Sequence, residues 1–328
     1  MSRRAGRRMF SAKRFLPLIG LFLFAYIVNS VGVSVITEAF LKANPLYFIF
    51  ALLLVFASSG IKAYKWKLGV DAQKPGFKFI DAWKAFIIGI FAAVITPGRI
   101  GEIIKAIYVA DDRKIRTGKA FATVFIDRVV DTMLLFLLAI IGIYYMTAEF
   151  AIGFSTPKIA IGVFVVFAIV ILLVLEEGVT RRMMRPIFRK LVPKRHQNIL
   201  RTNFEEFYEG VRLIRKKRFL LTKIAGLTLI AWGIVFLQYY LLSLAAGINI
   251  SFFYMTMIIP ITMLAELIPI SISGIGTRDL VLIGMLGLLG IGAGSAVAFS
   301  LIILLFNYFI ASLGLLFWLA DPVKIWRL

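Results

Sequence analysis

Arg99, Glu102 and Lys105 recur every third residue, directly after the run Thr96-Pro97-Gly98 and around Gly101. If a helix begins at these glycines, Glu102 faces both cations. A helix start offers unpaired N–H groups and a partial positive charge, the glycines admit a close approach, and Arg99 can grip phosphate oxygens through two donors. The chemistry expected of such a turn is binding of a phosphate. The competing expectation is that Arg99 and Glu102 neutralise each other and simply hold the turn.

Two further sets carry charge into apolar surroundings. Asp127, Arg128 and Asp131 put two carboxylates one helical turn apart on a single helix face. They are ion-pair or coupling candidates. One reading has them exchanging between Arg99 and Arg278 as a cavity opens, the other has them in a permanent network fastening the first break to their helix. Glu266 precedes Pro269 and the run Ser273-Gly274-Ile275-Gly276-Thr277-Arg278-Asp279. Apolar surroundings disfavour the charged form of a carboxyl, which makes Glu266 a candidate counter-ion or proton carrier. Arg278 and Asp279, with Gly274 and Gly276, form a second candidate substrate-binding turn, and Pro97 and Pro269 mark the two breaks.

The elements that must position these groups are membrane helices. Of 328 residues 61% are hydrophobic, the mean hydropathy is +0.92 and the formal charge is +21. Windows of about 18 or more apolar residues recur, each able to cross a hydrocarbon core about 30 Å thick. The cations crowd into residues 1–14, 60–84, 109–119 and 176–223, with Lys324 and Arg327 at the end, and Arg278 stands alone between Lys223 and Lys324. The positive-inside rule puts these clusters, and with them both termini, in the cytoplasm. A nucleic-acid partner is excluded, because its site needs one continuous basic face. Anionic headgroups of the inner leaflet are the partners the clusters suit.

Six segments are long enough to cross unaided: Phe15 to Ile36, Leu46 to Tyr64, Ala120 to Met146, Ile159 to Leu175, Phe219 to Ala246 and Ser295 to Leu319. Residues 80–109 and 252–292 are apolar but broken in the middle, with both ends of each on one side. The expected fold is an all-α polytopic membrane protein, with about six full spans and two oppositely oriented re-entrant helical hairpins in an inverted repeat. It forms a single membrane domain over 1–328. The first repeat covers 15–147 with a cytoplasmic-side hairpin at 80–109, and the second covers 157–320 with an external-side hairpin at 252–292. Inverted repeats with broken helices mark transporters, and non-helical backbone at membrane depth implies a polar interior. A basic cytoplasmic loop, 176–218, contains an amphipathic helix whose stripe of Leu200, Phe204, Phe207, Tyr208, Val211 and Ile214 is expected at the inner lipid interface.

Several features carry no chemistry. Cysteine is absent and His196 is the single histidine. Gly274 and Gly276 lack the third glycine and the βαβ context of a dinucleotide loop. No cofactor, metal site or catalytic residue is assigned.

The runs Thr96-Pro97-Gly98-Arg99-Ile100-Gly101-Glu102, Asp127-Arg128-Val129-Val130-Asp131 and Pro269 to Asp279 together resemble the membrane region of lysylphosphatidylglycerol synthases and its stand-alone, flippase-like relatives. Their order and spacing match across nearly the whole chain. Asp279 is a departure, standing where the family pattern leads to Glu, which keeps the charge and shortens the reach. The resemblance implies movement of a charged or glycosylated lipid between leaflets, by the lipid-moving part alone and without an aminoacyltransferase domain. The expected function is therefore a lipid translocase or flippase and not an enzyme. Its partners would be membrane lipids, either phospholipid or polyprenyl-phosphate-linked, and a homo-oligomer stays open. The alternatives are a membrane-embedded transferase or hydrolase acting on a lipid headgroup, with Glu102, Asp127 or Glu266 as base, and a noncatalytic membrane scaffold.

Overall fold

A computed structural model of the chain describes residues 26, 29, 33–41, 43–113, 115–150, 155–191 and 193–320. The predicted span from Phe15 lies mostly outside them, as do Lys114, Lys324 and Arg327. The described residues are helical nearly throughout. In order they form α1 (Val33–Leu41), α2 (Pro45–Gln73), α3 (Phe79–Val94), a single 3-10 turn (Ile100–Ile103), α4 (Ile104–Arg113), α5 (Thr117–Glu149) and α6 (Ser155–Leu175). They continue as α7 (Glu177–Leu191), α8 (Lys194–Arg215), α9 (Arg218–Ala245), α10 (Phe252–Glu266), α11 (Thr277–Leu288) and α12 (Ala293–Ala320).

Local chemistry sets these boundaries. Asn44 caps α2 by accepting the Leu46 N–H at 2.9 Å, and Pro45 fills a first-turn position where no donor is needed. The same helix stops at Gln73, just before Lys74-Pro75, because a residue preceding proline disfavours helical backbone. Ser251 caps α10 in the same way by accepting from Tyr254 N–H. α2, α9, α12 and residues 157–175 of α6 are long and apolar enough to cross a membrane. α5, at 33 residues, is also longer than the about 20 residues a span requires. α6 leans on α5 and leaves Ile159, Val166 and Leu172 exposed, as suits a helix facing lipid.

The packing exchanges partners between the two halves. α2 runs along α9; α3 packs on α12, and α10 packs on α5. Each of the last two contacts is made through a glycine. A Cβ at Gly314 of α12 would lie 2.4 Å from the Ile87 carbonyl oxygen on α3, and one at Gly142 of α5 would lie 2.5 Å from the Met257 oxygen on α10. The first broken pair thus packs on the last long helix of the second half, and the second broken pair on the last long helix of the first half. The largest core cluster joins the two halves, with Leu135, Leu242, Ile258, Leu282 and Phe299 drawn from five helices.

The helix expected in the basic loop exists as α8, but the destination of its apolar face is corrected. Tyr208, Val211 and Ile214 are buried, and Val211 and Ile214 join Ala122 and Ile126 of α5 in one cluster. The stripe therefore covers the end of a helix, while Leu200 at its start stays exposed. Polar ties lock this docking. Gln73 donates to the Gly210 carbonyl at 2.9 Å, Tyr208 donates to Val174 O at 2.6 Å, and Lys119 pairs with Glu209. The Lys119 hydrogen bond holds the Glu209 carboxyl below the usual glutamate range.

Replacing Gly142 or Gly314 by valine should lower the melting temperature in detergent, at a cost of about 1 to 3 kcal/mol. Gly233→Ala, where nothing lies within 4 Å, is the control that should leave melting unchanged or slightly raised.

Candidate functional site

The two helix breaks meet. α3 ends at Val94 and the chain turns through Thr96, Pro97, Gly98 and Arg99; α10 ends at Glu266 and turns through residues 267–276. Pro97 and Ile272 form an antiparallel bridge, and the two residues after each carry left-handed backbone: Gly98 (φ 60°) and Arg99 (58°), Ser273 (55°) and Gly274 (72°). Each turn is tied down by a hydroxyl at the matching position. Thr96 Oγ1 accepts the Gly101 N–H at 2.7 Å, and Ser271 Oγ meets Thr277 Oγ1 at 2.7 Å. Gly101 sits so tightly that a Cβ would fall 2.1 Å from the Ala92 oxygen, and one at Gly98 would press on Leu267 O and Pro269 of the opposite turn. Arg99 holds a left-handed conformation without being glycine, which costs of order 1 kcal/mol or more.

An ion pair crosses this junction: Arg99 Nη1 lies 3.3 Å from Glu266 Oε1. The turn sequence pointed instead to a local Arg99–Glu102 contact. Glu102 is bonded to Lys105 at 3.0 Å and to Arg128 of α5. Behind the turn lies a buried network. Lys105 Nζ reaches Asp127 at 2.9 Å, and Lys65 of α2 pairs with both Asp127, at 3.0 Å, and Asp131. Lys65 and Lys105 are fully buried, Lys105 with the rings of Trp66 and Phe86 as walls at 5.3 and 5.0 Å. Asp127 and Asp131 therefore contact Lys65 and Lys105, and neither pairs with Arg99 or Arg278. The network fastens α4 and the 3-10 turn to α5 and α2.

At the second turn Arg278 and Asp279 pair with each other, both buried, at 2.6 Å. Asp279 also accepts the Gly276 N–H at 2.9 Å and the Ser300 hydroxyl. Neither residue lines either of the two hollows described below; they hold the second turn, with Arg278 Nη1 left unpartnered.

In front of the network lies a cavity of about 130 Å³ between α2, α3, α5, α9, α10 and α12. Its charged wall is Lys62, Arg99, Glu102, Arg128 and Asp131; its neutral wall includes Ser58, Ser59, Trp232, Gln238, Tyr239 and Asn307. A second hollow of about 190 Å³ shares Arg99, Glu102, Arg128, Thr132 and Leu267 and is also lined by Ile100 and Ile103, whose side chains are exposed. Three residues of the first cavity's wall carry a buried polar atom without a partner, Arg99 Nε, Trp232 Nε1 and Gln238 Oε1, and so does Glu266, the ion-pair partner of Arg99, at Oε2. Buried donors and acceptors are normally satisfied, so three on one cavity wall mark a place for a polar guest.

Lys62 and Lys65 lie at and just beyond the end of the apolar run expected to stop at Tyr64, but on a helix that does not stop there. α2 runs on to Gln73, burying Lys65 and turning Lys62 into the cavity with its ammonium 4.0 Å from the Trp232 ring centroid. The missed signal was their spacing of one helical turn, with Ala63, Trp66, Gly69 and Val70 continuing the buried stripe. Trp232, Gln238 and Asn307 gave no signal, being single polar groups on long apolar helices.

Broken helices facing each other over a charged interior, among helices able to cross a bilayer, define a multi-pass membrane protein with an internal polar site. The chain belongs to the family described as the lysylphosphatidylglycerol synthase TM region, whose model matches residues 16–314. It is 27% identical over 315 residues to a UPF0104 membrane protein of Methanocaldococcus jannaschii, covering 92% of both chains. A UPF0104 membrane protein of Pyrococcus horikoshii is 23% identical, covering 92% of this chain and 94% of the relative. One of Methanothermobacter thermautotrophicus is 22% identical, covering 90% and 91%. No solved structure matches the chain.

Removing one partner from a buried ion network strands the other. Lys65→Met should therefore cost about 3 to 5 kcal/mol of stability, read as a lowered melting temperature in detergent. Lys65→Met with Asp131→Asn should recover part of that loss; a double variant as unstable as the sum of the singles would contradict the network.

Proposed function

We propose that the chain is a lipid translocase that passes a charged or glycosylated headgroup between leaflets while the tails stay in lipid. In this reading the α3–α4 and α10–α11 pairs are re-entrant hairpins entering from opposite faces. They belong to an inverted repeat of about six full spans, with both termini in the cytoplasm of a cell membrane. Non-helical backbone is tolerated at membrane depth only against protein or an aqueous cavity, and the bridged turns meet that condition.

The observation that carries the proposal is that two adjacent hollows share the wall formed by Arg99, Glu102, Arg128, Thr132 and Leu267. The inner one is charged and the outer one is rimmed by exposed Ile100 and Ile103, so a headgroup has a polar seat beside an apolar exit for its chains. Arg99 belongs to both hollows and has an unpartnered Nε, which makes it the first contact for a phosphate. Complete passage requires the Pro97–Ile272 bridge and the Arg99–Glu266 pair to part, and Glu266 is the counter-ion that Arg99 releases when a lipid phosphate arrives. Arg278 and Asp279 keep the opposing turn in shape.

The carboxylates that a headgroup transferase would use as base are each engaged by cations: Glu102 by Lys105 and Arg128, Asp127 by Lys65 and Lys105, and Glu266 by Arg99. Carboxylates committed to buried ion pairs hold the turns in place, which favours the binding role.

Fluorescent-lipid exchange between leaflets of proteoliposomes tests the proposal. Native protein should speed exchange over protein-free vesicles, and Arg99→Ala should reduce that rate about tenfold or more, while keeping a native-like melting curve. No acceleration for anionic, zwitterionic or polyprenyl-phosphate lipids would sink the translocase reading.

A further inference from the structure

The charge balance of the cavity and its network points to the kind of headgroup it accepts, an inference that rests on the translocase reading. Around the site stand five cations, Lys62, Lys65, Arg99, Lys105 and Arg128, and four carboxylates, Glu102, Asp127, Asp131 and Glu266. Each carboxylate lies in an ion pair: Glu102 with Lys105 and Arg128, Asp127 with Lys65 and Lys105, Asp131 with Lys65, and Glu266 with Arg99. Arg278 and Asp279 neutralise each other and leave the balance unchanged. The cation left over is Lys62. Among the described residues it has no ion pair, and its ammonium rests against the face of Trp232 inside the cavity.

An uncompensated charge in a water-poor interior is expensive, and a guest of opposite sign relieves that cost. We propose that the site binds a headgroup with one negative charge and free hydroxyls, that is, a phosphodiester bearing a glycerol or sugar, and rejects cationic, aminoacylated headgroups. Lys62, Arg99 and Trp232 all line the one cavity, and the Lys62 ammonium with the unpartnered Arg99 Nε and Trp232 Nε1 are the donors assigned to the phosphate oxygens. Gln238 Oε1, unpartnered on the neutral wall, accepts from a hydroxyl. An ammonium-bearing headgroup finds no carboxylate whose charge is unspent, and it meets the Lys62 charge besides. Glu266 Oε2 is the nearest exception, and its carboxylate is already held by Arg99.

The test measures binding and transport on the same protein. Native chain in neutral detergent is melted with added phosphatidylglycerol, phosphatidylcholine, a trimethylammonium diacyl lipid or tail-free glycerophosphoglycerol. Exchange of the fluorescent lipids is then followed in proteoliposomes. Phosphatidylglycerol should stabilise most, and its exchange should outrun that of the cationic lipid about tenfold. Lys62→Gln removes the surplus charge, and Gln238→Glu cancels it from the opposite wall; both leave every ion pair in place, and either should bring the lipids close to parity. Preference for the cationic lipid, or a preference unmoved by both variants, overturns the proposal. Stabilisation by glycerophosphoglycerol equal to that by the lipid would make the guest a soluble phosphodiester and overturn the lipid assignment. Selective stabilisation without exchange keeps the headgroup site and removes the translocase reading, whereas exchange without headgroup preference removes the site and keeps the translocase.

Discussion

Two segments of non-helical backbone face each other at the heart of this molecule, and their mutual satisfaction is the constraint that everything else obeys. Helix ends leave N–H and C=O groups without partners, a heavy cost where water is scarce. The chain answers with paired turns: the Pro97–Ile272 bridge joins them, Thr96 and Ser271 hydroxyls tie each from within, and left-handed residues follow each bridged position. The exchange of α3 onto α12 and α10 onto α5, with Gly314 and Gly142 at the closest approach, sets the depth at which the turns meet. Loss of either close approach would move a tip relative to its partner and pull the site apart.

The second consequence is electrostatic. A broken helix needs fastening, and here the fastening is ionic: Lys105, Glu102, Asp127, Asp131, Arg128 and Lys65 bind α4 and the 3-10 turn to α5 and α2. Buried ion pairs add little net stability, because desolvation offsets most of their attraction, but they penalise every arrangement that separates them. They therefore specify geometry. The same network faces the cavity with part of its charge, so the device that holds the hairpin in place also creates the field that a headgroup would meet. Arg99 and Glu266 differ from the rest, since their pair spans two turns that no other ion pair joins.

Much of this was legible in the residues. Pro97, Gly98, Gly101, Pro269, Gly274 and Gly276 announced the breaks, because no helix runs through such clusters. Long apolar runs gave α2, α5, α6, α9 and α12, and the charged residues at depth marked the interior. Partner identity was legible only in part. The three-residue spacing gave the Glu102–Lys105 pair, but Arg128 takes the place expected of Arg99, a choice made by how α5 packs and not by spacing within the turn. Lys62 and Lys65 were hidden because lysine beside a span ordinarily snorkels to the surface, and only the docking of α5 and α9 on α2 converts that helix end into interior. The stripe on α8 had the period of an interfacial helix, and periodicity cannot distinguish lipid from the side of another helix as the surface covered.

If the chain moves a headgroup as proposed, the two bridged turns must separate for it to pass. The chain has no cysteine, so a pair introduced as Pro97→Cys and Ile272→Cys reports on this contact without background. The account predicts that the pair forms a disulfide under mild oxidation. Lipid exchange in proteoliposomes should then fall to the protein-free rate and return on reduction, with either single variant indifferent to both treatments. Undiminished exchange by the fully cross-linked protein would contradict it.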